Sequence, residues 1–187
     1  MEYSVIMSGF GGQGVLLMGD LLAYSAMKAG LDVTWMPSYG VEMRGGTARC
    51  TVVISDNKIG SPIAEEPHAV MAMNGPSLEK FQDYVVSGGL LLFNSSIVCE
   101  YVPPREDIET IAVPTQDIAT AGGNLKMANI AMLGAFLGKS ELFSIEFMEE
   151  CLKTFLPEAR QKLLPVFSKT LRLGRDFSTL EQYQQAL

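Results

Sequence analysis

Two glycine-bearing stretches hold the residues whose types and spacing could do chemistry. Gly9-Phe10-Gly11-Gly12-Gln13-Gly14 fits the pattern G-x-G-x-x-G. Glycines there let the backbone turn tightly and come within contact distance of a ligand. A helix starting just after them would offer unpaired N–H groups and about half a positive charge to an anion. The plainer alternative is that the glycines only permit a strand-to-helix turn. The second stretch, Pro37-Ser38-Tyr39-Gly40-Val41-Glu42-Met43-Arg44-Gly45-Gly46, carries a fixed guanidinium on Arg44. Such a group can hold a carboxylate or phosphate through two parallel hydrogen bonds. Glu42 could steady Arg44 or pair with a partner chain, and a local Glu42–Arg44 ion pair that merely closes the loop has equal standing.

Other chemistries are disfavoured by what the chain lacks. A dinucleotide site needs an acidic residue at the end of the second strand, about 20 residues beyond the glycines, to bind a ribose. Here that strand runs into Met36-Pro37-Ser38, and Asp32 stands at its beginning. The Lys-Ser/Thr pair of a P-loop does not follow Gly14. Cys50, Cys99 and Cys151 lie far apart and none belongs to a C-x-x-C, so an iron–sulfur cluster, usually held by four thiolates, is not expected in this chain. The single histidine, His68, precedes an apolar run and reads as a strand-edge residue, and Glu65-Glu66 reads as a solvated turn. No catalytic residue and no metal ligand is expected. With 14 Lys+Arg against 21 Asp+Glu, the formal charge of −7 argues against a nucleic-acid partner. Apolar runs such as Gly88 to Phe93 are too short to cross a bilayer, and Met1-Glu2-Tyr3 lacks the basic flank of a secretory signal. A cytoplasmic protein without a membrane partner is expected.

The elements that must position the two loops follow from hydrophobic pattern. Strands are expected near Tyr3–Ser8, Val33–Met36 (stopped by Pro37), Thr47–Ser55, His68–Met73, Gly89–Asn94 and Glu109–Val113. A helix from Gly12 to Ala29 is apolar around most of its circumference, so two neighbours must cover it. Asn74-Gly75-Pro76-Ser77 starts a helix toward Tyr84. A helix over Leu125–Leu137 has small residues, Ala128, Ala131, Gly134 and Ala135, at a spacing that admits close approach. Ser144 caps the next helix, which ends at Pro157. Glu158–Gly174 is expected to be helical with a kink at Pro165, and Ser178 with Glu181 suits a capping box for a short last helix. The alternation implies an α/β fold: an open, mostly parallel but mixed sheet with helices on both faces, Rossmann-like. One domain is expected over residues 1–187, with a C-terminal helical extension over about 140–187. Thr47–Ser55 follows its neighbour without a helix and should be antiparallel. The second glycine loop, leaving the second strand, should emerge beside the first at one rim of the sheet.

Gly9-Phe10-Gly11-Gly12-Gln13-Gly14-Val15, followed by Pro37-Ser38-Tyr39-Gly40 and Glu42-Met43-Arg44-Gly45-Gly46, resembles the gamma subunit of 2-oxoacid:ferredoxin oxidoreductases, the 2-oxoglutarate type most of all. Asn74-Gly75-Pro76-Ser77-Leu78 and Gly123-Asn124 through Ala135 fall where that family has similar segments. The likeness runs to about Leu137. One departure is Val41, where the family usually has proline.

The resemblance implies a subunit of an enzyme that decarboxylates a 2-oxoacid on thiamine diphosphate and Mg²⁺, passes electrons through iron–sulfur clusters to ferredoxin, and releases an acyl-CoA. The isolated chain would be inactive, because those groups belong to alpha, beta and delta subunits. It would border the shared active-site and CoA region through Gly11, Gly12, Gln13, Gly14, Ser38, Tyr39, Glu42, Arg44, Gly45, Gly46 and Asn124. The alternatives are a purely structural assembly subunit, motivated by the apolar first helix and the Ala-rich helix, or a free-standing dinucleotide-binding reductase, motivated by G-x-G-x-x-G alone.

Overall fold

The computed structural model describes residues 1–40, 46–98 and 105–180. Six strands, β1 (Glu2–Phe10), β2 (Asp32–Tyr39), β3 (Thr47–Ser55), β4 (Ala69–Ala72), β5 (Leu90–Asn94) and β6 (Glu109–Val113), form one sheet in the order β2-β3-β1-β4-β5-β6. β1, β4, β5 and β6 pair in parallel, whereas β3 runs antiparallel to both β1 and β2. The sheet is mixed, as the sequence implied. β3 intervenes between β1 and β2, which a Rossmann order would make neighbours.

Helices α1 (Val15–Lys28), α2 (Gly75–Phe81), α3 (Thr115–Gly122), α4 (Ala128–Ser140), α5 (Ile145–Phe155) and α6 (Leu164–Thr179) cover the two faces unequally. The alternation along β1 shows the division. Val5 and Met7 join a large core with Cys50 and Val52 of β3 beneath α1, α4, α5 and α6. Ile6 joins a smaller one with Val70 and Phe93 beneath Leu78 and Phe81 of α2. Alternate side chains of a strand point to opposite faces, so one strand feeds both cores.

The apolar girth of α1 is explained by two neighbours within this chain. Met18, Leu21, Leu22 and Ala26 are buried, with β2 and β3 on one side and α5 on another. At the α5 contact the Tyr24 hydroxyl donates to Thr154 Oγ1 at 2.9 Å, and the Tyr24 and Phe155 rings lie 5.5 Å apart. The small residues of α4 likewise serve α6. A Cβ on Gly134 would collide with the Leu171 carbonyl oxygen, and one on Gly174 with that of Ala131. The C-terminal helices thus fold back onto the sheet, and both features that could have served a partner chain are used internally.

Three expectations need correction. Pro37 does not stop β2, which continues to Tyr39; β2 is an edge strand with ladder bonds on one side only, where a missing N–H is tolerated. Pro165 does not kink a helix but occupies the first turn of α6, where its absent N–H has no partner to lose, after a 3-10 stretch over Glu158–Leu163. Ser178 lies buried inside α6, its Oγ donating to Arg175 O at 2.9 Å, and does not cap a later helix; Glu181 lies outside the described residues.

Candidate functional site

At Phe10 the chain leaves β1 and turns through Gly11–Gly14 into α1. Gln13 locks that turn. Its Oε1 accepts from Phe10 N–H at 2.6 Å and from Asn74 Nδ2 at 3.2 Å, and its Nε2 donates to Met73 O at 3.1 Å. The amide is therefore engaged at both ends, fastening the turn to the segment leaving β4. Gly14 caps α1 with φ 74°, the left-handed region that side chains other than glycine's rarely enter. From α4, Asn129 Nδ2 donates to Gly14 O at 3.2 Å.

The second glycine stretch ends β2 at one side and enters β3 at the other, and its described residues are 37–40 and Gly46. Its base is closed by Gly40 N–H donating to Thr47 O at 2.9 Å. It is tied to the first turn directly, for Gly11 N–H donates to Gly46 O at 2.8 Å. The two glycine turns thus meet at one rim, where β1, β4 and β5 end, the place ligands occupy in open α/β sheets. The expected convergence holds, but by another route: antiparallel β3, paired to β1 from Phe10↔Thr47 onward, brings Gly46 to the first loop.

Two clefts flank this clasp. One, of about 480 Å³ and mostly apolar, lies on the α1 side between Gly11, Gly12, Gly14, Leu17, Tyr39 and Gly46. The other, of about 330 Å³, opens on the α2 side over Ser8, Ser38, Arg49, Ser77, Lys80 and Phe81. Phe10, Tyr39 and Thr47 border both. Tyr39 is 65% exposed, so its ring stands at the rim available to whatever covers it.

Of the residues singled out in the sequence, Gly11, Gly12, Gly14, Ser38, Tyr39 and Gly46 are brought together here. Gln13 stands beside them with its side chain committed to the turn. Asn124 borders neither cleft; its side chain accepts from Lys126 N at 3.0 Å and caps the 3-10 turn leading into α4. Glu42, Arg44 and Gly45 lie outside the described residues. Sequence reasoning missed Arg49, Lys80 and Asn129. Arg49 left a signal, a lone charge inside the otherwise uncharged strand Thr47–Ser55, and Asn129 left another, an amide on an Ala-rich helix. Lys80 left none.

Among the described residues no reactive thiol or imidazole is placed at the rim. Cys50, on the face of β3 that carries Ala48, is sealed under α1, and burial, with Asp20 nearby, pushes its thiol up to about 12. His68 stands just before β4, its Nδ1 accepting from Ser4 N–H at 3.2 Å and its ring stacked on Tyr3 at 5.0 Å. Among the described residues no three His, Cys, Asp or Glu side chains gather as metal ligands, and no helix is long and apolar enough to cross a membrane.

The profile of the family described as "Pyruvate ferredoxin/flavodoxin oxidoreductase" matches residues 4–177. Ketoisovalerate oxidoreductase subunit VorA of Methanothermobacter marburgensis is 38% identical over 95% of this chain, which spans only 37% of that protein's length. 2-Oxoglutarate synthase subunit KorC of Methanocaldococcus jannaschii is 31% identical, over 94% of this chain and 96% of its own. Among solved structures, the keto/oxoacid ferredoxin oxidoreductase gamma subunit from Geobacter sulfurreducens PCA superposes with a TM-score of 0.77 at 29% identity, covering 94% of this chain and 98% of that one.

Proposed function

The chain belongs to the pyruvate ferredoxin/flavodoxin oxidoreductase family, and from that membership we propose that it is the gamma subunit of a 2-oxoacid:ferredoxin oxidoreductase. The assembly oxidatively decarboxylates a 2-oxoacid and transfers the acyl group to CoA. Thiamine diphosphate with Mg²⁺ supplies the decarboxylation chemistry and iron–sulfur clusters carry electrons to ferredoxin; both are held by the alpha, beta and delta subunits. This chain forms one wall of the shared CoA region and holds the assembly together, in the cytoplasm.

The observation that carries the reading is the Gly11–Gly46 clasp, which joins both glycine turns at one rim. A wall for a ligand shared between chains needs rigid backbone, room, and a surface left uncovered within its own chain. The clasp and Gln13 supply the first, the 480 Å³ cleft the second, and exposed Tyr39 and Phe10 the third. Arg44, which follows Tyr39 by five positions in the sequence, supplies a cation for an anionic part of CoA or of the 2-oxoacid. 2-Oxoglutarate, giving succinyl-CoA, is the favoured substrate, because the KorC likeness runs nearly the full length of both chains. A branched 2-oxoacid is the second reading, favoured by the higher identity to VorA.

The test is steady-state kinetics of the assembled enzyme carrying Arg44→Ala or Tyr39→Ala, with 2-oxoglutarate, ketoisovalerate and pyruvate compared. A rise in KM for CoA or for the 2-oxoacid with assembly intact is the expected result. Unchanged dependence on both, in both variants, would reduce the chain to an assembly element. Tight binding of NADH, NADPH or flavin by the isolated chain would favour a free-standing reductase.

A further inference from the structure

The cleft on the α2 side has a composition unlike the chain around it. Seven more acidic than basic residues give the protein its charge of −7, yet among the described residues no Asp or Glu borders this cleft while Arg49 and Lys80 both do. Neither cation has a carboxylate partner among the described residues. Both stand over one ring: the Arg49 guanidinium carbon is 5.8 Å and Lys80 Nζ 5.3 Å from the Phe81 centroid. An aromatic face attracts each cation, but two like charges sharing it repel one another, so an anion placed between them gains from both. Arg49 Nε is, in addition, buried without a hydrogen-bond partner. A buried donor left unpaired is costly and is normally satisfied by some group.

The rest of the cleft suits a compact oxyanion. The Ser8 and Ser77 hydroxyls, both buried and 3.0 Å apart, line it, with Ser38 and Thr47 across from them. Arg49 lies on β3 opposite Ser38 of β2, in register, so the backbone that carries the guanidinium is held by two paired strands. Hydroxyls and a guanidinium converging with an ammonium are the donor set of a phosphate group, whose oxygens take several N–H and O–H donors at once. At about 330 Å³ the cleft has room for it.

We propose that the Arg49–Lys80 cleft is a phosphate-binding site, separate from the apolar cleft on the opposite face of the sheet. It accepts a phosphate group, free or carried on a nucleotide. The proposal stands apart from the reading of the chain as a gamma subunit, since its readout is binding to this chain alone.

The test is calorimetric titration of the full chain with inorganic phosphate and, separately, with ADP, at matched ionic strength. Saturable binding is expected, weakened at least tenfold by Lys80→Gln and by Arg49→Gln, and unchanged in the distant surface variant Lys153→Gln. Lys80 is exposed on α2, so its variant remains informative if Arg49→Gln does not fold. ADP binding tenfold tighter than phosphate assigns the group to a nucleotide; equal affinities assign it to free phosphate. Failure to saturate, or equal affinity in wild type and Lys80→Gln, overturns the site.

Discussion

Replacing Gly14 by alanine isolates the contact that fastens the first glycine turn to α4. Two costs add at this position. At φ 74° a side chain enters the left-handed region, which costs about 1–2 kcal/mol. A Cβ there would also stand 2.5 Å from Asn129 Nδ2 and 2.7 Å from its Cγ. The amide must then move, losing its bond to Gly14 O, and the crowding of a packed site adds about 1–3 kcal/mol. Gly30 provides the matched control, with φ 77° and nothing within 4 Å of the position a Cβ would take. Gly30→Ala should therefore show the backbone cost alone, and Gly14→Ala should exceed it by at least about 1 kcal/mol. In a chain of this size each kcal/mol lowers Tm by about 2–4 °C. Adding Asn129→Ala removes the colliding amide and leaves only its Cβ at 3.2 Å, so Gly14→Ala should cost less in that background than in the wild type and approach the cost of Gly30→Ala. Thermal and urea unfolding of the four variants measure all the terms of this cycle. Equal losses for Gly14→Ala and Gly30→Ala, or no relief from Asn129→Ala, would refute the packing of Asn129 over the turn.

The α4–α6 crossing predicts a loss where helix propensity alone predicts a gain. Gly174→Ala should improve helix formation by about 1 kcal/mol, yet its Cβ meets backbone of α4, so a net destabilisation of about 1–3 kcal/mol is expected in urea unfolding. Stability should also fall at high pH through Tyr3, whose phenol burial pushes up to about 12. The folded chain keeps that proton after the unfolded chain has begun to lose it, so stability is flat below the ordinary tyrosine value near 10 and declines from there toward 12. The decline is at most about 2 kcal/mol after allowance for partial exposure, and Tyr3→Phe should flatten it.

What the sequence disclosed, and what it withheld, follows from the range of the forces involved. Thr47–Ser55 and Glu109–Val113 were legible to the residue because buried strands bounded by turn signals are local patterns. Pro37 and Pro165 misled because proline's effect depends on whether its missing N–H would have had a partner, which is a property of the sheet edge and of the helix start. The glycine turns were recognisable as backbone that must bend. Their contact through Gly11 N–H and Gly46 O was reachable only as a consequence of topology, and the intervening β3 was not foreseen as the link. Arg49, Lys80 and Phe81 meet across β3 and α2, about 30 residues apart in the chain. No local pattern announces such a cluster. Gln13 was legible as part of a motif, but the closure of its amide on Phe10, Met73 and Asn74 required the end of β4 to be in place.

The central claim, that this chain is one wall of a multi-subunit 2-oxoacid oxidoreductase and not a complete catalyst, is tested most directly by purifying the tagged chain from its native cells and assaying ferredoxin reduction. The account predicts co-elution with thiamine diphosphate- and iron–sulfur-bearing chains, and 2-oxoacid reduction of ferredoxin that requires CoA, with no activity from the isolated chain. A chain that elutes alone, or that turns over a substrate without partners, would contradict it.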